Sequence, residues 1–332
     1  MHSMTRPLTL ATAASTVLLA ACGKTEAPPS PARQAARTAG DERSLSAEQV
    51  AKEARGQRTC PPKPTAPTPV QGMQGTPVDD VLGVRPGMAY DQAMDAVLCA
   101  HDLLVATPAT GRGFDIKAPQ AHTVRQGFTA RTAEPRLAKT GKQLVKDMQD
   151  DSMARGGNAV REDLKPGQSK WFVATMGLPG QERVLGVARE ERFALEQSPT
   201  VETVQAALVK KYGTPTFEQP RSDTRLPLAR WAYDPQGRPI TPGSPLFARC
   251  VGTSDPNGSM QVVPECGVVV QAMLIPQQSN PALVDRMQVG VVNQSAGYRL
   301  LSDTEQCLLR LDQRRRAQEV DQAAKNGKSP TL

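Results

Sequence analysis

The cysteines carry the most reactive side chains of this chain of 332 residues. They are Cys22, Cys60, Cys99, Cys250, Cys266 and Cys307. Cys250 and Cys266 flank a loop rich in Gly, Pro, Asp and Asn between two strand-like stretches, so a disulfide would close the base of that loop. A second disulfide, Cys60–Cys99, would join the start of the folded region to its first helix, and Cys307 would then stay unpaired. Because the chain contains no C-x-x-C pair, disulfides are favoured over a metal site.

The other chemically active side chains do not form a catalytic motif. The sequence lacks G-x-S-x-G, S-x-x-K, H-E-x-x-H and P-loop patterns. His101 is expected to be a partly buried, hydrogen-bonded residue at a helix end, and His122 to lie in a loop. The carboxylates of Glu190 and Glu191 are adjacent, and neighbours in a strand point to opposite faces. We therefore predict no catalytic, cofactor-binding or metal-ligating residue, although a hydrolase that uses distant carboxylates stays open.

The N-terminus has the organisation of a secretory signal. Arg6 supplies the positive charge, Leu8–Leu19 form a short apolar stretch, and small residues precede Cys22. The run Leu19-Ala20-Ala21-Cys22 resembles the lipobox of bacterial lipoproteins. That resemblance implies cleavage after residue 21, lipidation of Cys22 and, with Gly at position 23, a place at the outer membrane facing the periplasm. The alternatives are an ordinary cleaved signal peptide and an N-terminal core helix.

Composition limits the partners. The chain has a charge of +7, and removal of residues 1–21 takes away Arg6 and leaves +6. The one dense basic cluster, Arg314-Arg315-Arg316, lies in a predicted helix without interleaved aromatic residues, so we predict no nucleic-acid partner. Residues 22–75 are rich in proline and poor in apolar side chains, which predicts a disordered tether. Ser46 and Gln49 form a capping-box pattern that predicts one short helix within it, to about Arg55.

Two α+β units are predicted after the tether, each with helices packed on an antiparallel sheet. The first unit, residues 76–195, contains a helix over Tyr90–His101 and a hairpin formed by Trp171–Met176 and Arg183–Arg189. Further strands are predicted at Leu103–Ala106, Phe114–Ile116 and Val124–Ala130.

The second unit, residues 196–312, opens with a helix that has Ser198 as N-cap and Pro199 at its first position, and that ends at Gly213. A last helix is predicted from Ser302, and residues 313–332 are its end and a disordered tail. The strands predicted in this unit are Leu228–Tyr233, Gly267–Ile275 and Asp285–Val292.

Two short segments resemble a known family. The stretch from Gly87 to Ala93 is similar to the "GMT-x-x-(Q/E)-V" start of small outer-membrane lipoproteins of the SmpA/OmlA (BamE-like) type. The stretch from Val204 to Pro215 is similar to the helix end of the same family, although Ala89 stands where Thr is usual. The resemblance implies helices packed on a three-stranded antiparallel sheet and binding to other envelope proteins, without catalysis.

We therefore expect a membrane-anchored, non-enzymatic module that binds a protein of the cell envelope. Trp231, Tyr233 and Trp171, with Phe172, are the aromatic side chains that could contact such a partner. Each of them also suits a sheet core, because alternate strand residues point inward. The alternatives are a peptidoglycan hydrolase and a periplasmic inhibitor of a hydrolase.

Overall fold

The structure is a computed structural model that describes residues 44–56, 58, 60, 78–109, 114–117, 124–136, 138, 142–143, 145–146, 164–220 and 226–328. The predicted signal peptide, Cys22, His122 and most of the predicted tether lie outside these residues. Within the described part of the chain, no helix is long and apolar enough to cross a membrane.

The described residues contain the following helices and strands. The helices are α1 (Ala47–Arg55), α2 (Tyr90–Ala100), α3 (Val201–Tyr212) and α4 (Gln294–Asn326). The strands are β1 (Leu104–Pro108), β2 (Gly127–Thr132), β3 (Ser169–Met176), β4 (Arg183–Arg192), β5 (Phe217–Gln219), β6 (Leu228–Ala232), β7 (Val268–Pro276) and β8 (Val284–Asn293). The mixed α+β class is therefore as predicted.

All eight strands belong to one antiparallel sheet in the order β1-β2-β3-β4-β8-β7-β6-β5. Strands β1–β4 come from the first predicted unit and β5–β8 from the second, and β4 pairs with β8 so that Val187 lies opposite Val291. The prediction of a separate sheet in each unit is not confirmed. The β4–β8 pairing joins the strands of both predicted units into one sheet.

One face of the sheet packs against α2 and α3. The helices contribute Val97 and Val204, and the strands contribute Phe128, Val187 and Val291 to the same cluster of buried side chains. Helix α2 begins at Tyr90 as predicted and ends at Ala100, one residue before the predicted end. Its buried positions recur every three or four residues, as an amphipathic helix requires.

The opposite face is covered by the first part of α4 and by the segment between β6 and β7. Leu308 of α4 packs with Phe172 and Ala188 of the sheet. The backbone of Thr253 crosses β8 at Gly290, where a Cβ atom would lie 2.0 Å from the Thr253 carbonyl oxygen. Only glycine permits this close approach.

Helix α1 is part of the folded body, although its range was predicted to lie within a tether. The capping box is present: Gln49 N–H donates to Ser46 Oγ at 3.3 Å, and Ser46 N–H donates to Gln49 Oε1 at 2.8 Å. The Arg55 guanidinium donates to the carbonyl oxygens of Leu98 and Asp102 at 3.2 and 2.8 Å. These bonds hold α1 against the C-terminal end of α2.

Several predicted boundaries are wrong. The N-cap of α3 is Thr200, whose hydroxyl accepts a hydrogen bond from the Thr203 N–H. Helix α4 begins after Asn293, whose side chain accepts from the Ala296 N–H, so Ser302 lies inside the helix. Residues 114–117 are not a strand. The N-terminal turns of α4 are held by sheet contacts, which outweigh the low helix propensity of glycine within them.

Candidate functional site

The aromatic residues proposed as partner contacts lie in the core. Trp171 and Trp231 are each 1% exposed. The indole N–H of Trp231 donates to the Gly213 carbonyl oxygen at 2.8 Å, and its ring packs 5.3 Å from that of Tyr212. Both tryptophans point toward the face that α2 and α3 cover, so neither has a surface for a partner.

Two further aromatics from the same prediction are also withdrawn from solvent. Phe172 is buried against α4 on the opposite face of the sheet. Tyr233 is half-buried, and this burial raises the pKa of its hydroxyl. For Phe172 the structure shows the core alternative, because α4 covers the face of the sheet toward which this side chain points.

The structure contains both predicted disulfides. Cys250–Cys266 joins residues 16 positions apart with a Cα–Cα distance of 5.4 Å, and Cys60–Cys99 joins residues 39 positions apart with the same Cα–Cα distance. Cys307 is also disulfide-bonded, so the expected free thiol is wrong. The cysteines among the described residues are therefore all oxidised.

The histidine and the adjacent glutamates are not brought into one site. His101 is exposed, contrary to expectation, and its Nδ1 accepts a hydrogen bond from the Leu103 N–H at 3.2 Å. Glu190 and Glu191 lie on opposite faces: Glu190 accepts from Gln288 Nε2 at 3.3 Å, and Glu191 pairs with an arginine of its own strand. Within the described ranges, no three His, Cys, Asp or Glu residues lie close enough together to hold a metal ion.

A tight turn before α2 has a geometry that the sequence reading missed. Val81 and Val84 exchange backbone hydrogen bonds of 2.9 and 3.0 Å, and the two residues between them have positive φ angles of 48° (Leu82) and 84° (Gly83). This is the pattern of a type I′ turn, in which Asn-Gly is the favoured pair. A leucine in the left-handed region costs about 1–2 kcal/mol.

Buried side chains and hydrogen bonds hold this turn in place. Val81 and Val84 are fully buried in the core beneath α2 and α3. The Asp80 carboxylate accepts from the Gly83 N–H and from Lys211 Nζ, each at 2.8 Å. The Tyr212 hydroxyl donates to the Asp80 carbonyl oxygen at 2.8 Å.

Leu82 is the exposed tip of this anchored turn. Its side chain is 55% exposed, although the flanking valines are buried. A strained leucine whose side chain is exposed contributes little packing energy to offset the strain. Strained residues of this kind cluster at functional positions. We therefore regard the Leu82 turn, residues 79–84, as a rigid apolar contact point.

Asp79 supplies the turn with a titratable group. Burial raises the pKa of its carboxyl, the nearby Arg85 guanidinium lowers it, and the Asp80 carboxylate raises it, with a net increase. A carboxyl with a raised pKa retains its proton to higher pH and is a group that acid catalysis needs.

A groove is lined by residues of α3, β5, β6 and β7. Its volume is about 310 Å³. Ala229 and Ala272 form its floor, and Gln205, Leu208 and Glu218 stand along its sides. The small floor residues create the space, and the amide and carboxylate groups at the rim give it polar edges.

No protein-family model, no curated protein and no solved structure matches the chain.

Proposed function

We propose that the protein is a lipoprotein of the bacterial cell envelope, anchored through an acylated Cys22 in the outer membrane and facing the periplasm, where it binds another protein without catalysing a reaction. The observation that carries the proposal is the run Leu19-Ala20-Ala21-Cys22 behind a short apolar stretch. A diacylglyceryl group and an N-acyl chain together give stable anchoring, which a single acyl chain does not.

The disulfides support an oxidising compartment. Cys60–Cys99 and Cys250–Cys266 are both formed in the folded body. Structural disulfides persist outside the cytosol and are rare within it.

The chemistry of the Cys22 sulfur gives this proposal a strict test. The proposal requires a lipid thioether on this sulfur. A sulfur that carries a lipid thioether cannot also join a disulfide, so the acylated state and a disulfide-bonded state of Cys22 exclude each other.

Peptide mapping of the protein purified from membranes under non-reducing conditions decides between these two states. A lipid mass on the peptide that begins at Cys22 supports the proposal. The Cys22→Ser variant should keep its signal peptide and carry no lipid mass. If this variant is processed normally and still sediments with membranes, the proposal is overturned.

The Leu82 turn is the proposed contact surface. An apolar side chain held rigidly in the open can enter a pocket of a partner with little loss of conformational freedom. The buried valines and the Asp80–Lys211 pair keep its position fixed before binding.

Photocrosslinking in intact cells tests this surface. A photoreactive residue is placed at Leu82 and, as a matched control, at Leu195, which is 71% exposed on the short 3-10 helix Leu195–Gln197. The proposal expects a discrete adduct with one envelope protein from position 82 and none from position 195. Equal adducts from both positions, or none from either, contradict it.

We also propose that the chain contains two related units, residues 76–195 and residues 196–312. Each range contains a helix followed by four consecutive antiparallel strands, and β4 and β8 join them at the centre of the sheet. Cleavage at an engineered protease site in Leu195–Gln197 should give two fragments that stay associated through this pairing. Fragments that aggregate or unfold after cleavage contradict two self-contained units.

The hydrolase alternative rests on Asp79, the half-buried carboxyl at the start of the Leu82 turn. A zymogram of the purified protein on peptidoglycan measures this activity directly. A lysis zone that the Asp79→Asn variant loses supports hydrolysis and overturns the non-enzymatic proposal. A gel without a lysis zone is the expected result.

A further inference from the structure

The second half of α4 is a helix without a packing surface in its own chain. Leu308 and Asp312 are buried, at 1% and 4% exposure, and every residue from Gln313 to Asn326 is exposed. This segment extends for about 21 Å. A helix of this length is marginal by itself in water, because most helical stability comes from the burial of an apolar face.

We propose that Gln313–Asn326 is a self-association surface, on which the same segment of a second copy of the chain lies antiparallel. Ala317, Val320 and Ala324 are spaced by three and four residues and form one seam along the helix. Val320 is 67% exposed, a large value for an aliphatic side chain. The seam is thus apolar and fully open to a partner.

The charges beside the seam divide into two groups. Arg315 is paired within the helix, with Asp312 at 2.5 Å and Glu319 at 2.6 Å, and Arg316 is paired with Asp312 at 2.8 Å. Arg314 and Asp321 form no ion pair with any other residue in the described ranges. They are seven residues apart, so they flank the seam on the same side of the helix.

Antiparallel pairing joins these two charges. When Ala317 packs against Val320 of the second copy, Arg314 lies beside Asp321 of that copy, and the two-fold symmetry repeats the contact. In a parallel pair, Arg314 would instead lie beside Leu309 of the second copy, and Asp321 beside Arg316, whose guanidinium already pairs with Asp312. The opposite charges therefore select a second copy as the occupant and select its direction.

Charge reversal tests the proposal because it can be undone. Sedimentation equilibrium of the full mature chain, at several protein concentrations, measures the dimer dissociation constant. Arg314→Glu and Asp321→Arg should each weaken the dimer by about tenfold, since each converts two attractions into repulsions. The double variant R314E/D321R restores opposite charges and should bind to within about threefold of the parent.

Lys325→Glu is the matched control. It makes the same change of charge as R314E, but Lys325 follows the seam residue Ala324 and points away from the seam. Its dissociation constant should stay within about twofold of the parent. Circular dichroism of every variant shows whether α4 remains helical, which separates a lost contact from a lost helix.

Three results overturn the proposal. In the first, the parent sediments as a monomer at all concentrations. In the second, the double variant associates no better than the single variants. In the third, Lys325→Glu weakens association as much as R314E. None of them bears on Cys22 or on the Leu82 turn, so failure here leaves the proposed function to its own tests.

Discussion

Removal of the Cys250–Cys266 disulfide should destabilise the protein by about 3 kcal/mol. The loop-entropy relation gives this value for a separation of 16 residues, and about 4 kcal/mol for the 39 residues between Cys60 and Cys99. The sulfurs of the first pair lie in the cluster that anchors the segment between β6 and β7, and both cysteines are fully buried. We therefore expect C250A/C266A to lower the free energy of unfolding by slightly more than the entropy alone.

The assay is urea unfolding of purified protein in non-reducing buffer, with the midpoint and the slope fitted separately. The melting temperature should fall by roughly 6–12 °C. Ile240→Val is the matched control, because Ile240 is buried in the same cluster and its shortening measures lost packing alone, at about 1 kcal/mol. If C250A/C266A loses no more than this control, the chain-entropy reasoning is refuted for this loop.

Three further predictions concern single positions. Gly83→Ala should lower the free energy of unfolding, measured in a thermal melt, by about 1 kcal/mol, because the φ of Gly83 is 84° and its added Cβ would meet no atom within 4 Å. The control Gly243→Ala is equally open but has no positive φ, so it should not lower the stability. Gly290→Ala should cost about 3 kcal/mol and free the crossing segment in hydrogen exchange, and normal protection there would contradict the close approach. Asp79→Asn should leave the free energy of unfolding unchanged near pH 3 and raise it near pH 7. The stability contributed by a group with a raised folded-state pKa is present at low pH and is lost as the pH rises through that pKa. An equal effect of the substitution at both pH values would refute this sign.

Local signals in the sequence were sufficient for several elements. The capping box of Ser46 and Gln49 and the glycine end of α3 are interactions among residues less than five positions apart. The β3–β4 hairpin follows from its turn, where Gln181 N–H bonds the Leu178 carbonyl oxygen. Such features form wherever the local residues allow them, so distant residues have little influence on them.

Other features depended on contacts that local patterns do not contain. The first turns of α4 are helical because they pack on the sheet, and a capping pattern at Ser302 gave a start eight residues too late. β5 has three residues and no strong alternation, so only its pairing with β6 defines it. The strained conformation of Leu82 has no signature in its residue type, since Asn-Gly is the usual pair.

By itself, the sequence determined the α+β class, the second helix, the β3–β4 hairpin and the two disulfides Cys60–Cys99 and Cys250–Cys266. Periodicity, caps and cysteine spacing act over short distances or through covalent geometry, which a linear reading can follow. Only the tertiary structure decided that one sheet spans both halves, that the tryptophans are core and that Leu82 is exposed. Strand order and burial depend on which distant surfaces meet, and in this chain β4 meets β8.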